Sequence, residues 1–411
     1  MVRPGTRDRK PPSRLFWATT TLLIALMCTG LLILSANLPV DLRENSNDLA
    51  LYRESGESIL RGEIPYRDFF IEYPPGSLPI FILPALSSTN RAGFIDHFSL
   101  EMALFLAITL LVTALTARRF HGSHAWVLSA ATFALAALLL YPVALTRYDA
   151  VVALTLGLAV FFAAQGGRFV IFAYASLGLG AAAKVVPALA VLPLALAQRG
   201  AVRGCAVFLA VVALFLVPFA LLGGGGLLQS FAYQAGRGLQ VESLAASVLI
   251  FLRRVHSVVF EHGASELQGG GVGLAVSISP LLTLDLLAIS GLAMYGEYRR
   301  FGRLGLDAFP RHSAALILAF MLGSKVLSPQ FMIWLLPLVP LAAGGALGTI
   351  ICALFLAACF TTTLVFPTHY GDLLTFRYPG PELLIARNLL LVIIWAALLA
   401  LPAVTRERTS P

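Results

Sequence analysis

Apolar blocks of about 20 residues recur along this 411-residue chain, and they constrain its fold more than any motif does. A helix of that length crosses a hydrocarbon core about 30 Å thick. Hydrophobic residues make up 58% of the chain and charged residues 12%. Soluble domains carry about 25% charged residues, so roughly half the usual charge is missing. Mean hydropathy is +0.84. A soluble protein could not hide so many apolar blocks. The expectation is an all-α polytopic membrane protein, a single transmembrane domain over 1–411 with no soluble domain of any size.

The net charge of +8 would suggest nucleic acid for a soluble chain. Here it reads as the Lys/Arg excess of cytoplasmic loops, and no nucleic-acid partner is expected. Cys28, Cys205, Cys352 and Cys359 all fall inside apolar spans without CxxC spacing, which argues against disulfide and zinc readings. Arg3, Arg7, Arg9, Lys10 and Arg14 precede an apolar run from Leu15 to Val40. That run exceeds the about 7–15 residues of a signal-peptide core, so it reads as an uncleaved first span with a cytoplasmic N-terminus.

Basic residues set the threading. Arg118 with Arg119, Arg168, Arg199 with Arg203, Arg299 with Arg300, Arg303 and Arg311, and the tail residues Arg406 and Arg408 sit in short polar breaks. Placing them inside gives about twelve spans and two cytoplasmic termini. The spans are 15–39, 96–117, 124–145, 149–165, 169–183, 185–198, 203–222, 274–296, 312–326, 329–343, 347–366 and 383–404. Residues 241–255 are apolar enough to span, but that would move Arg299, Arg300, Arg303 and Arg311 outside. They are assigned instead to a second large outer segment, 223–273, as a re-entrant or interfacial helix. Of the 21 acids, only Asp8, Glu297, Asp307 and Glu407 then lie inside and Asp285 mid-span. The rest crowd the outer face, either solubilising its loops or carrying chemistry there.

The first outer loop, within 40–95, is the longest polar stretch. Ser46-Asn47-Asp48 offers a helix cap, and Arg61-Gly62 reads as a helix end. Between them Leu49, Tyr52, Gly56, Ile59 and Leu60 share one face, which fits an amphipathic helix on the membrane surface. Asp48 and Tyr52, four apart, share a side of it. The apolar stretch broken by Pro79 and Pro84 is too short to span and reads as a second surface helix.

These residues carry a family resemblance. Asp48-Leu-Ala-Leu-Tyr52, Gly62-Glu-Ile-Pro65-Tyr66 and Tyr73-Pro74-Pro75 resemble the GT-C superfamily of membrane glycosyltransferases. Within it they look most like glycosyltransferase family 87, the polyprenol-phosphate-mannose-dependent mannosyltransferases. Lys184-Val-Val-Pro187, Gln240-Val-Glu242-Ser243-Leu244 and Ser328-Pro329-Gln330 also resemble that family's spacing. Each motif is short, and their order over most of the chain carries the likeness. The resemblance implies a GT-C-like bundle and catalysis at the outer leaflet of a cell membrane. It implies a polyprenyl-phosphate sugar as donor, a lipid or glycan as acceptor, and an Asp of the first outer loop as base. Asp48 matches that position, with Asp41 as the alternative, since it too follows the first span.

The remaining candidates carry two readings each. The chain has only three lysines, Lys10, Lys184 and Lys325. Lys184 and Lys325 follow helix ends in matching contexts, as contacts to the donor phosphate or as side chains snorkelling to the interface. Arg147 either contacts phosphate or pairs with Asp149. Tyr52, Tyr66, Glu72, Tyr73, Arg237 and Glu242 are candidates to line a donor and acceptor cleft. The Gly223–Gly226 run reads as a loop, because no strand precedes it as in a phosphate cradle. His121 and His124 lack an acidic partner for a metal site. His369 with Asp372 is either a second acid/base pair or interfacial filler.

A sugar on a polyprenyl monophosphate departs as a stabilised phosphate, so no general acid is required. One base and one or two cations suffice, which predicts direct displacement with inversion and no intrinsic need for a metal or other cofactor. A lipid or sugar transporter is the main rival, and a non-catalytic assembly partner the second. Transporters place ionisable groups at the midplane, whereas here the polar residues crowd one face.

Overall fold

A computed structural model of the protein describes residues 11–43, 47–122, 125–198 and 200–401. The expected cap at Ser46, Lys10, His124, Arg199, the tail residues Arg406 and Arg408, and the side chain of Asp41 lie outside the described residues.

Each of the twelve expected spans has a helical segment, but only six are long and apolar enough to cross a membrane. These are Arg14–Ala36, Arg91–His121, Ala201–Leu222, Val272–Phe301, Gly345–Thr368 and Gly380–Ala400. The other six are shorter than 18 residues: Trp126–Leu139, Ala150–Gln165, Gly167–Ala183, Val186–Ala197, Ala308–Gly323 and Pro329–Leu341. At 1.5 Å per residue these are shorter than a full crossing, so the bundle of about twelve membrane helices is built from six long and six short segments. Two of the breaks fall at Lys184-Val185 and at Ser324–Ser328, next to Pro187 and Pro329. A proline cannot donate to the preceding turn, and each chain resumes in a 3₁₀ segment.

Burial separates centre from periphery. Nearly every residue of Ala308–Gly323 and Pro329–Leu341 is buried, as expected for segments apolar on all sides. Ala201–Leu222 and Val272–Phe301 are mostly exposed and present their leucines outward.

The bundle has two unlike ends. At one, Arg119 Nη1 donates to Gln165 Oε1 at 2.7 Å, and Leu304 N to Leu196 O at 3.1 Å. Arg311 there reaches Glu297 and Leu401 O, beside His312, whose Nε2 is 3.0 Å from Glu297 Oε2. The basic breaks therefore gather at one end. The helix starting at Ala150 and those ending at Ala183 and Gly323 carry Asp149, Lys184 and Lys325 at the other.

Both helices expected in the first outer loop form, as Asn47–Leu60 and Pro75–Ser87. Leu49 and Tyr52 are buried, and Gly56 faces Phe81, but Leu60 is 44% exposed and leaves the packed face. Tyr52 stacks on Phe81 at 4.5 Å between ring centroids, and its edge meets Tyr73 and Tyr148. Such pairs contribute about 0.5–1.5 kcal/mol each beyond area burial.

Within the segment 223–273, the helix expected over 241–255 is shorter, and a hairpin follows it. Residues Leu244–Phe251 form an eight-residue helix, and Val255–Glu261 pairs antiparallel with Ala264–Gly269. His262 and Gly263 have φ of 49° and 69°, the double positive φ of a type I′ hairpin turn. The second strand holds a strap beside it: Val241 N donates to Ser265 O, and Leu267 N to Leu239 O, both at 2.9 Å.

Gly76 couples the first loop to this end of the bundle. A Cβ there would lie 2.4 Å from Ala182 C and 2.6 Å from Ala183 N, in the turn that carries Lys184. Gly76→Ala should lower stability by about 1–3 kcal/mol in detergent melts, the usual effect of overpacking. Gly225→Ala, with nothing within 4 Å of its Cβ, should change it by less than about 0.5 kcal/mol. Equal melting of the two variants would show that this contact is loose.

Candidate active site

Three consecutive residues organise the site. Arg147, Tyr148 and Asp149 form the turn before the Ala150–Gln165 helix, and its two charges each find a partner on another element. Arg147 Nη2 lies 2.9 Å from Asp48 Oδ2. Asp149 Oδ1 accepts from Lys184 Nζ at 2.7 Å and from Trp334 Nε1 at 2.5 Å. Arg147 thus pairs with Asp48, and Asp149 with Lys184, each across to another element. Asp149 is 1% exposed, so the ammonium and the indole N–H stand in for the water that its carboxylate has lost.

Lys184 does not snorkel. Its ammonium turns inward to Asp149, between the rings of Tyr148, Phe331 and Trp334 at 4.8, 5.4 and 5.2 Å from their centroids. Cation–π attraction adds to the ion pair in such a box. Lys325 is committed differently: its Nζ donates to Ala235 O at 2.7 Å and to Arg237 O, clamping the end of the Gly226–Gly236 helix.

Asp48 sits in the first turn of its helix, where free backbone N–H groups suit a carboxylate. Tyr73 Oη donates to Asp48 Oδ1 at 3.0 Å, while Arg147 holds Oδ2. Tyr73 is fixed in turn by Tyr66, whose hydroxyl donates to Tyr73 O at 2.6 Å. Glu72 Oε2 accepts from Gln234 Nε2 at 3.0 Å. Burial raises the Glu72 carboxyl above its ordinary pKa, and the negative charge of Asp48 adds to the rise.

These groups surround one cleft of about 880 Å³. Asp48, Glu72, Tyr73, Arg147, Lys184, Arg237, Glu242 and Lys325 all line it, which brings together eight of the ten principal candidates. The other two stand behind its wall: Tyr52 inside the aromatic cluster, and Tyr66 against Phe219. Arg237 Nη1 is 3.4 Å from Gln234 Oε1 on the rim. Burial lifts the Glu242 carboxyl to about 7, opposed by the charge of Arg387. His369 and Asp372 do pair, at 2.8 Å, but lie outside the cleft lining and are partly exposed. Among the described residues, Glu261, His262 and Glu266 hold ligand-type atoms within 4.8 Å of one another. Glu266 Oε1 there already accepts from Gly238 N at 2.9 Å.

Reading the sequence missed Trp334, Phe331 and Tyr370, which also line the cleft. Trp334 carried a usable signal: an indole N–H in an otherwise apolar, buried run requires an acceptor.

A model of glycosyltransferase family 87 matches residues 70–324. Among solved structures, ArnT from Cupriavidus metallidurans bound to undecaprenyl phosphate is similar, with a TM-score of 0.48 and 15% identity. The match covers 94% of this chain and 77% of that one. ArnT from the same organism in the apo state gives 0.48 at 13% identity, over 94% and 75%. An Archaeoglobus fulgidus oligosaccharyltransferase tethered to an acceptor peptide gives 0.40 at 14% identity, over 94% and 55%. These likenesses are too distant to carry chemistry across. No curated protein matches.

The buried pair makes a sharp prediction. Lys184→Met should cost about 3–5 kcal/mol of stability, because Asp149 is left charged and uncompensated. Adding Asp149→Asn should recover much of that loss. A Lys184→Met protein that melts like wild type would mean that the pair contributes nothing.

Proposed function

This chain belongs to glycosyltransferase family 87, and on that premise we propose that it transfers a sugar, mannose, from a polyprenyl-phosphate donor to a lipid or glycan acceptor, with inversion. We place the reaction at the outer face of a cell membrane, with both termini cytoplasmic and membrane lipids as neighbours. The observation that carries the reading is Asp48, a carboxylate on the cleft wall held by Tyr73 and Arg147, with Lys184 and Arg237 on the same cleft.

The chemistry follows from that arrangement. An acceptor hydroxyl attacks the anomeric carbon, and its proton passes to Asp48 as the new carbon–oxygen bond forms. The bond from that carbon to the phosphate oxygen breaks on the opposite face, and the phosphate leaves with the electron pair. Each Asp48 oxygen keeps a lone pair beyond the bond it already accepts. Lys184 uses one of its three N–H donors on Asp149. It can therefore share itself with a phosphate whose charge grows during transfer, and the positive charge of Arg147 on the same cleft adds to that field. The clustering of these groups at one end of the bundle supports an enzyme over a transporter, which would need them near the midplane.

Asp48→Asn keeps shape and most hydrogen bonding but cannot take a proton. It should slow transfer by about 10²–10⁴-fold while folding normally. Asp41→Asn is the control and should lose far less. If Asp41→Asn is inactive and Asp48→Asn turns over fully, the base is Asp41; if both stay active, the mechanism is wrong.

A further inference from the structure

One wall of the cleft holds a concentration of buried polar atoms without partners. Gln240 and Glu242 line the cleft and are 4% and 2% exposed. Gln240 Oε1 and Glu242 Oε1 have no hydrogen-bond partner. Behind them, on the Gly380–Ala400 helix, Arg387 Nε and Nη1 and Asn388 Oδ1 are equally without partners. Buried polar atoms in folded proteins are overwhelmingly paired, so such a cluster marks a place that something else completes.

The backbone is held too firmly to close on these atoms. Gly238 N is bound to Glu266, Gln240 N to Lys325 O, and Val241 N to Ser265 O. Arg387 Nη2 donates to Glu242 O at 2.8 Å, and Gln240 Nε2 to Glu242 Oε2 at 3.2 Å. The side chains are therefore tied by one end, with the other end of each buried and without a partner.

The open atoms have mixed character. A phosphate would meet the carboxylate of Glu242, and a bare cation would meet Arg387. A hydroxyl donates and accepts through one oxygen, so neighbouring hydroxyls on a ring can satisfy such a set. With its carboxyl lifted to about 7 by burial, Glu242 populates both donor and acceptor forms near neutral pH.

We propose that Gln240 and Glu242, backed by Arg387 and Asn388, form a subsite for the hydroxyls of a sugar ring. The proposal rests on the glycosyl-transfer reading and adds to it the groups that recognise the sugar. The ring belongs either to the donor or to a glycan acceptor.

The test measures binding and turnover separately, with purified full-length protein. Binding of a polyprenyl phosphate is compared with binding of the same lipid carrying mannose, for wild type, Glu242→Leu, Glu242→Gln and Gln240→Leu. The Leu variants should bind the mannosylated lipid about tenfold more weakly and the bare lipid unchanged, with Glu242→Gln recovering most of the loss. If donor binding is unchanged but KM for a glycan acceptor rises about tenfold, the subsite holds the acceptor ring. Gln240→Leu leaves Glu242 beside Arg387 and carries the test if Glu242→Leu fails to fold. Wild-type values for both substrates in all variants would overturn the subsite and leave its open atoms to water. A wild-type protein that binds the bare lipid and gains nothing from the sugar, with no transfer, would overturn the glycosyl-transfer reading and the subsite together.

Discussion

The ion pair between Lys184 and Asp149 is the contact on which this end of the molecule depends. It joins the end of one short helix to the start of another, and the Trp334 indole ties both to the central buried segment. Removing a carboxylate from water costs several kcal/mol, and only a close cation with good hydrogen bonds offsets it. Burial of Asp149 therefore obliges Lys184 to turn inward, and the three aromatic rings around the ammonium follow from that. The residues next to Asp149 are then fixed: Tyr148 enters the aromatic cluster and Arg147 points to Asp48.

That chain of constraints orients the carboxylate. Asp48 lies on a helix that buries Leu49, Tyr52, Ser55, Gly56 and Ser58, a face that places the backbone but leaves the carboxylate to be oriented by other groups. Tyr73 and Arg147 each take one of its oxygens, from the first loop and from the bundle. Those two anchors reach the carboxylate from different elements, and Gly76 sets how close those elements come. Lys325 and the hairpin do the corresponding work across the cleft, by holding the strap that bears Gln240 and Glu242.

Much of this was legible in the residues. Apolar runs interrupted by arginines located all twelve helical segments, because lipid leaves little choice about where charge can sit. The paired surface helices followed from capping residues, prolines and apolar spacing, and Asp48 as a candidate base came from the family resemblance. Partner choice was not legible: Arg147 and Asp149 are two residues apart, and only packing decides that each looks elsewhere. Residues 255–269 were hidden for another reason. Their burial does not alternate strictly, and the turn is His262-Gly263 rather than the commoner Asn-Gly. The shortness of six helices was also hidden, since an apolar residue in a protein core and one in lipid read alike.

The account's central claim is a single displacement at the anomeric carbon, with Asp48 as the base. The most direct measurement is the anomeric configuration of the product, read by proton and carbon NMR, from a polyprenyl-phosphate mannose of known configuration. One displacement predicts clean inversion. A product that retains the donor's configuration would require a covalent or ion-pair intermediate and would contradict the account.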